Sequence, residues 1–175
     1  MVNRSKLITY SIESNEFKGY LAWDDSENEK KPGVLVFPEW WGLNDYIKKR
    51  TKEVAGLGYI ALGVDMYGEG KTADNPDDAG LLMNAVLADK QTIKTRIEFA
   101  YNFLKEHPLS DCNRIGAIGY CFGGALVLNM ARIGMELRAV VSFHGALDSF
   151  FSPLPGDVKA NLLVCHGEAD KFISK

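Results

Sequence analysis

Between an apolar run at residues 114–118 and a stretch at 122–133 that is apolar nearly all round stands Gly119-Tyr120-Cys121-Phe122-Gly123-Gly124. A cysteine with glycine two residues away on either side, in a turn from a buried strand into a buried helix, has the form of a G-x-C-x-G nucleophile elbow. Such a turn strains the backbone of its central residue, and small residues at 119 and 123 allow strand and helix to approach closely. A thiol there also faces the unpaired N–H groups and the positive end of the helix dipole, which favour a thiolate. Cys121 is therefore expected to be a reactive nucleophile. Cys112 and Cys165 sit on no elbow and read as inert thiols. Three cysteines, odd in number and far apart, fit neither a disulfide framework nor a CxxC metal site, so reduced thiols and no metal or other cofactor are expected.

Two carboxylates stand where chemistry would want them. Asp170 lies five residues past the apolar run 162–165, at the end of the sheet where open α/β folds place their sites, so it is positioned to orient a histidine or, more plainly, to cap a loop. Glu39 lies between the run 33–37 and two tryptophans, surroundings that desolvate a carboxylate and suit it to proton exchange, although an exposed loop acid has the same sequence form. Trp40, Trp41 and Tyr67 are placed to wall a substrate pocket or to cover the core. Of the histidines, His107 precedes the strand leading to Cys121 and belongs at the far end of the sheet. His144 and His166 follow other strands, with His144 on the site face, and both read first as satisfied structural residues.

These residues need a sheet to hold them. Residues 7–12 and 17–23 alternate around Ser14-Asn15-Glu16 as an antiparallel hairpin does. The runs 33–37, 59–64, 114–118, 139–143 and 162–165 are apolar without alternation, as strands buried on both faces are. A helix opens at Asn44 or Asp45, carries Ile47 and Val54, and stops by Gly58. Another runs from 91 to 106 with Ile93, Ile97, Ala100 and Leu104 on one face, and 122–133 ends before Gly134. Residues 24–31 and 69–78 read as surface loops. The expected fold is α/β over residues 1–175 as one domain: a mostly parallel central sheet with helices on both faces.

With 175 residues, 46% hydrophobic and 25% charged, the chain has the balance of a globular protein, which excludes disordered and fibrous classes. A net charge of -3 gives no electrostatic reason to expect nucleic acid or an anionic membrane, and a small molecule is the default partner. No run approaches the ~20 apolar residues of a membrane span, and the start lacks the apolar core of a signal peptide, so a cytoplasmic protein is expected.

Four segments, Pro38-Glu39-Trp40-Trp41-Gly42, Asp65-Met66-Tyr67, the Cys121 elbow and His166-Gly167-Glu168-Ala169-Asp170-Lys171-Phe172, resemble in order the signatures of the dienelactone hydrolase family of the α/β-hydrolase superfamily. The resemblance spans almost the whole chain. It implies a cysteine hydrolase of small lactones or esters, of the carboxymethylenebutenolidase type, working through an acyl-enzyme. Cys121 would be the nucleophile, Asp170 the triad acid, Glu39 the partner of the resting thiol, and the backbone N–H groups of Phe122 and Trp40 the oxyanion hole; Trp41, Tyr67 and His144 are assigned to the substrate pocket. Two departures stand out. The family's catalytic histidine lies one helix and one strand beyond the acid, outside these 175 residues, so the expected fold lacks a final strand and helix and the base is unassigned. Glu69 follows Tyr67 where carboxylate-binding members have an arginine. The alternatives are a catalytically impaired, shortened hydrolase acting as a binding protein, and an amidotransferase- or chaperone-type cysteine elbow, which expects a histidine or small residue after the cysteine. An open edge at 162–165 is expected to favour a homodimer.

Overall fold

The computed structural model describes residues 3–25 and 29–173. The elements, in chain order, are β1 (Asn3–Ile12), β2 (Asn15–Asp24), β3 (Lys31–Phe37), α1 (Asp45–Ala55), β4 (Ile60–Gly63), α2 (Pro76–Leu87), α3 (Lys90–Glu106), β5 (Ser110–Tyr120), α4 (Phe122–Arg132), β6 (Ala139–Phe143) and β7 (Asn161–Cys165). They build one sheet in the order β1-β2-β4-β3-β5-β6-β7. The N-terminal hairpin is antiparallel and β2 joins β4 antiparallel, while every pairing from β4 across to β7 is parallel. The loops leaving β3, β5, β6 and β7 therefore emerge at one end.

Alternating side chains divide the core. Leu35, Phe37, Ile115 and Ala117 face α2, α3 and α4 in the larger cluster, with Val86, Ile93, Ile97, Leu104, Leu126 and Met130 packed upon them. Val34, Val36, Ile118 and Tyr120 face the other way, toward Leu43 and Ile47 of the α1 segment. Helices thus cover both faces, as the unbroken apolar runs require.

Some boundaries differ from the sequence reading. Asn44 caps α1, accepting from Ile47 N at 3.1 Å, and the helix ends at Ala55 before Gly58 turns at φ +95°. β5 starts at Ser110, four residues earlier than the apolar run, across a register shift opposite Pro32/Gly33. Asp24 and Lys31, expected in a surface loop, are buried ends of β2 and β3, and residues 26–28 of that loop lie outside the described residues. The segment 69–78 is loop only to Asn75, which caps α2 by accepting from Asp78 N at 3.0 Å. The helix escapes a periodicity reading because Gly80 and an exposed Leu81 interrupt its apolar stripe. At the far edge, β7 pairs only with β6 among the described strands, and Leu162, Leu163 and Val164 stay 48%, 56% and 42% exposed. Since successive strand residues point to opposite faces, both faces of β7 are uncovered. No helix among the described residues is long and apolar enough to cross a membrane.

Candidate active site

The turn from β5 into α4 holds Cys121 at φ +51°, ψ -114°, a conformation that costs a non-glycine residue of order 1–3 kcal/mol and persists only where the surroundings impose it. They do. Cys121 N donates to Phe143 O at 2.9 Å and Ala125 N to Cys121 O at 3.1 Å. A Cβ on Gly119 would lie 2.1 Å from Gly123 O, and one on Gly123 would lie 2.5 Å from Pro38 O. Both glycines are there for close backbone approach, as their spacing predicts. Gly123 N donates to Pro38 O at 2.9 Å, which docks the loop after β3 on the first turn of α4 and brings Glu39 and Trp40 beside the thiol. Gly124 and Gly145 make a second such approach, 2.8 Å from a Cβ on Gly124 to Gly145 Cα, fixing the loop after β6.

The electrostatics depart from the thiolate expectation. Burial pushes the Cys121 thiol above its ordinary value, and the Glu39 and Asp170 carboxylates push it further; the Phe122 N–H, which donates to the sulfur, pulls the other way without prevailing. At rest Cys121 is a thiol, because desolvation and two acids outweigh one helix terminus. Tyr67, singled out for the pocket wall, is buried. Its hydroxyl donates to Trp40 O at 2.7 Å, and its ring stacks on Phe122 at 6.4 Å and 10°, so it fixes the Trp40 peptide rather than lining open space. Burial, and then the Cys121 charge, hold its phenol well above the usual range. Trp41 sets its ring edge-on to Trp40 at 5.1 Å and accepts from Ala73 N through its carbonyl.

Asp170 accepts from Phe172 N (2.9 Å) and Ile173 N (3.1 Å) through Oδ1 and meets His144 Nδ1 through Oδ2. The Phe172 N–H first, then the Ile173 N–H and His144, hold its carboxyl below the usual carboxylate range. The acid thus does orient a histidine, one on the neighbouring loop. His144 itself sits at φ +57° with its N–H on Cys165 O, and its ring stacks on His166, which meets Ile173 O through Nε2 at 2.9 Å. His107 caps α3 at the opposite end of the sheet, as read from the sequence.

A cavity of about 520 Å³ opens onto Cys121. Its walls are chiefly apolar: Trp40, Met83 and Leu87 of α2, Ala125, and Phe150. Trp41, Tyr67 and His144 are not among the described residues lining it. The wall that sequence reasoning missed is held by two polar residues of α4. Buried Asn129 accepts from Phe150 N at 2.8 Å, and Arg132 donates to Leu147 O (2.7 Å) and Asp148 O (2.9 Å). An asparagine in an otherwise apolar helix was the available signal. Asp65, in the second quoted segment, accepts from the N–H groups of Lys18, Tyr67, Gly68 and Gly70 at 2.8–3.0 Å, and so shapes the loop that presents Tyr67.

A mostly parallel sheet carrying a strained residue on a strand-to-helix turn, with acids on the loops after other strands, defines an α/β-hydrolase. The profile of the dienelactone hydrolase family matches residues 17–175, and the chain belongs to that family. It is 30% identical over 174 residues to the protein usf of Aquifex pyrophilus, and equally to an Aquifex aeolicus (strain VF5) protein provisionally named a carboxymethylenebutenolidase. Each match covers 97% of this chain and 73% of the relative. The solved structure named m3DLH superposes with a TM-score of 0.90 at 37% identity, over 99% of this chain and 72% of its own. The chain is thus a member of a hydrolytic family related at low identity to carboxymethylenebutenolidases, which are lactone hydrolases.

Proposed function

We propose that this protein hydrolyses small carboxylic esters or lactones through an acyl-enzyme on Cys121. The observation that carries the reading is the backbone of Cys121, held at φ +51° by packing that leaves no room for a side chain at Gly119 or Gly123. Because the resting sulfur is protonated, attack needs a base at hand, and of the two acids that act on it Glu39 does so more strongly, while Asp170 is engaged by His144. Glu39 takes the Sγ proton as sulfur adds to the carbonyl carbon, and the oxyanion is received by the N–H groups of Phe122 and Trp40. Collapse breaks the ester C–O bond, the leaving alkoxide takes the proton from Glu39, and a thioester remains. Water then adds to the thioester carbon and expels the thiolate, which recovers a proton, releasing the acid. The histidine that Asp170 orients is His144, but it does not line the cavity. Acylation is therefore expected to outrun deacylation, giving a burst followed by slow turnover.

The test is p-nitrophenyl acetate mixed in excess with the protein, with peptide mass mapping of the quenched reaction. An acetyl group on the Cys121 peptide, absent in Cys121→Ala, supports the reading. A burst that survives Cys121→Ala, or an unacylated Cys121, overturns it; the latter is what a binding protein retaining only the cavity would give. The same reading keeps the small-molecule partner and adds a second copy of the chain at the β7 edge.

A further inference from the structure

We propose that the Cys121 cavity selects neutral, apolar acyl and alkoxy groups and rejects esters or lactones that carry a carboxylate near the scissile bond; this rests on Cys121 being the nucleophile, as proposed above. The cavity gathers chemistry of one kind. Met83 and Leu87 from α2, Trp40 from the loop after β3 and Phe150 from the loop after β6 enclose about 520 Å³ over the thiol. Among the described lining residues the one ionisable side chain besides the thiol is Asp148, and no lysine, arginine or histidine lines the space.

Of the cations on the elements around the cavity, Lys171 is exposed and not among the residues that line it, and three others are held elsewhere. Arg96 donates to Met66 O and lies over the Phe17 ring, Arg132 binds the carbonyls of Leu147 and Asp148, and Lys71 pairs with Glu69 at 2.8 Å. Glu39 and Asp170 supply further negative potential at the sulfur. A substrate carboxylate placed here would lose its hydration, meet no counter-charge among the described lining residues and face like charges, whereas an alkyl or aryl ester gains apolar contact. The opposite end of the sheet offers a contrast within the same chain: Cys112 lies in a crevice whose charged lining is Lys105, Arg138, Lys159 and one acid, Glu136, which pairs with Lys105 at 3.3 Å.

Charge preference at the thiol is read directly by alkylating the 175-residue chain with iodoacetamide, which is neutral, or iodoacetate, which is anionic. The reactions run at one pH and in high salt to screen the net charge, with each site resolved by peptide mapping. The iodoacetamide-to-iodoacetate rate ratio at Cys121 is expected to exceed that of β-mercaptoethanol at least about tenfold, since burying an unpaired charge is costly. At Cys112 the ratio should fall below the reference. Met83→Lys, which adds a cation to the wall, should lower the Cys121 ratio at least about threefold, as a nearby opposite charge compensates the anion. A Cys121 ratio at or below the reference, or one that Met83→Lys leaves unmoved, overturns the proposal.

A second arm compares p-nitrophenyl butyrate with the p-nitrophenyl monoester of succinate, of similar length and the same leaving group. The expected result is Cys121-dependent release that favours butyrate at least about 30-fold. Equal release from both esters, abolished by Cys121→Ala, refutes the charge selection while leaving the nucleophile in place. Release untouched by Cys121→Ala removes the nucleophile reading instead, and the alkylation ratios then still decide the cavity's preference.

Discussion

Gly119→Ala puts the elbow under the most direct strain. The added Cβ would sit 2.1 Å from Gly123 O, 2.3 Å from Gly123 C and 2.8 Å from Gly124 N. Ordinary carbon contacts lie near 3.5 Å, so the first turn of α4 must move away from β5 by about 1 Å. All three atoms are backbone, and no rotamer change relieves the clash. Overpacking of this kind typically costs about 1–3 kcal/mol, and with a rigid partner the expected loss is about 3 kcal/mol, a large fraction of the stability of a typical domain. A shift of that size also displaces Cys121 from Glu39 and Trp40, which should slow acylation about 100-fold in whatever protein remains folded. Gly80→Ala is the control: nothing lies within 4 Å of its added Cβ and it sits within α2, so it should stabilise by about 0.5–1 kcal/mol. Urea unfolding followed by tryptophan fluorescence measures both variants, and the p-nitrophenyl acetate burst measures acylation. A Gly119→Ala protein within about 0.5 kcal/mol of the parent that acylates at the parent rate would show that the elbow does not depend on this contact.

Other expectations follow from the same geometry. Because burial and two carboxylates push the Cys121 thiol up, near neutral pH iodoacetamide should label exposed Cys112 before Cys121, with the Cys121 rate still climbing as pH rises. Glu39→Gln removes a neighbouring negative charge and should move that profile to lower pH; early labelling of Cys121, or an unmoved profile, would count against the site described. Asp65→Ala leaves four backbone N–H groups without their acceptor and should cost about 3 kcal/mol or more, read by urea unfolding, with a loss under about 1 kcal/mol refuting its role. Light scattering should detect dimers formed through β7, and Leu163→Lys, a charge on an exposed edge strand, should abolish them; a parent that stays monomeric at high concentration denies that edge an interface.

The elbow was legible in the sequence because its constraint is local: only glycine fits where backbone meets backbone, and the residues on either side have to be a buried strand and a buried helix. The parallel strands, α1, α3 and α4 were legible for the related reason that burial on two faces, or on one stripe, writes its own period into the chain. The helix α2 was not, since Gly80 and Leu81 break that period, and with it the Met83 and Leu87 wall of the cavity stayed hidden. Nor could sequence show which way the Cys121 proton would go. Adjacency to a helix terminus argued for a thiolate, but the balance is set by burial and by acids from loops 82 and 49 residues away, Glu39 and Asp170. The meeting of Asp170 with His144, 26 residues apart, is likewise a product of β6 and β7 lying side by side. Local sterics leave a mark in a few consecutive residues; electrostatic balance and cavity shape are sums over segments that only the folded sheet brings together.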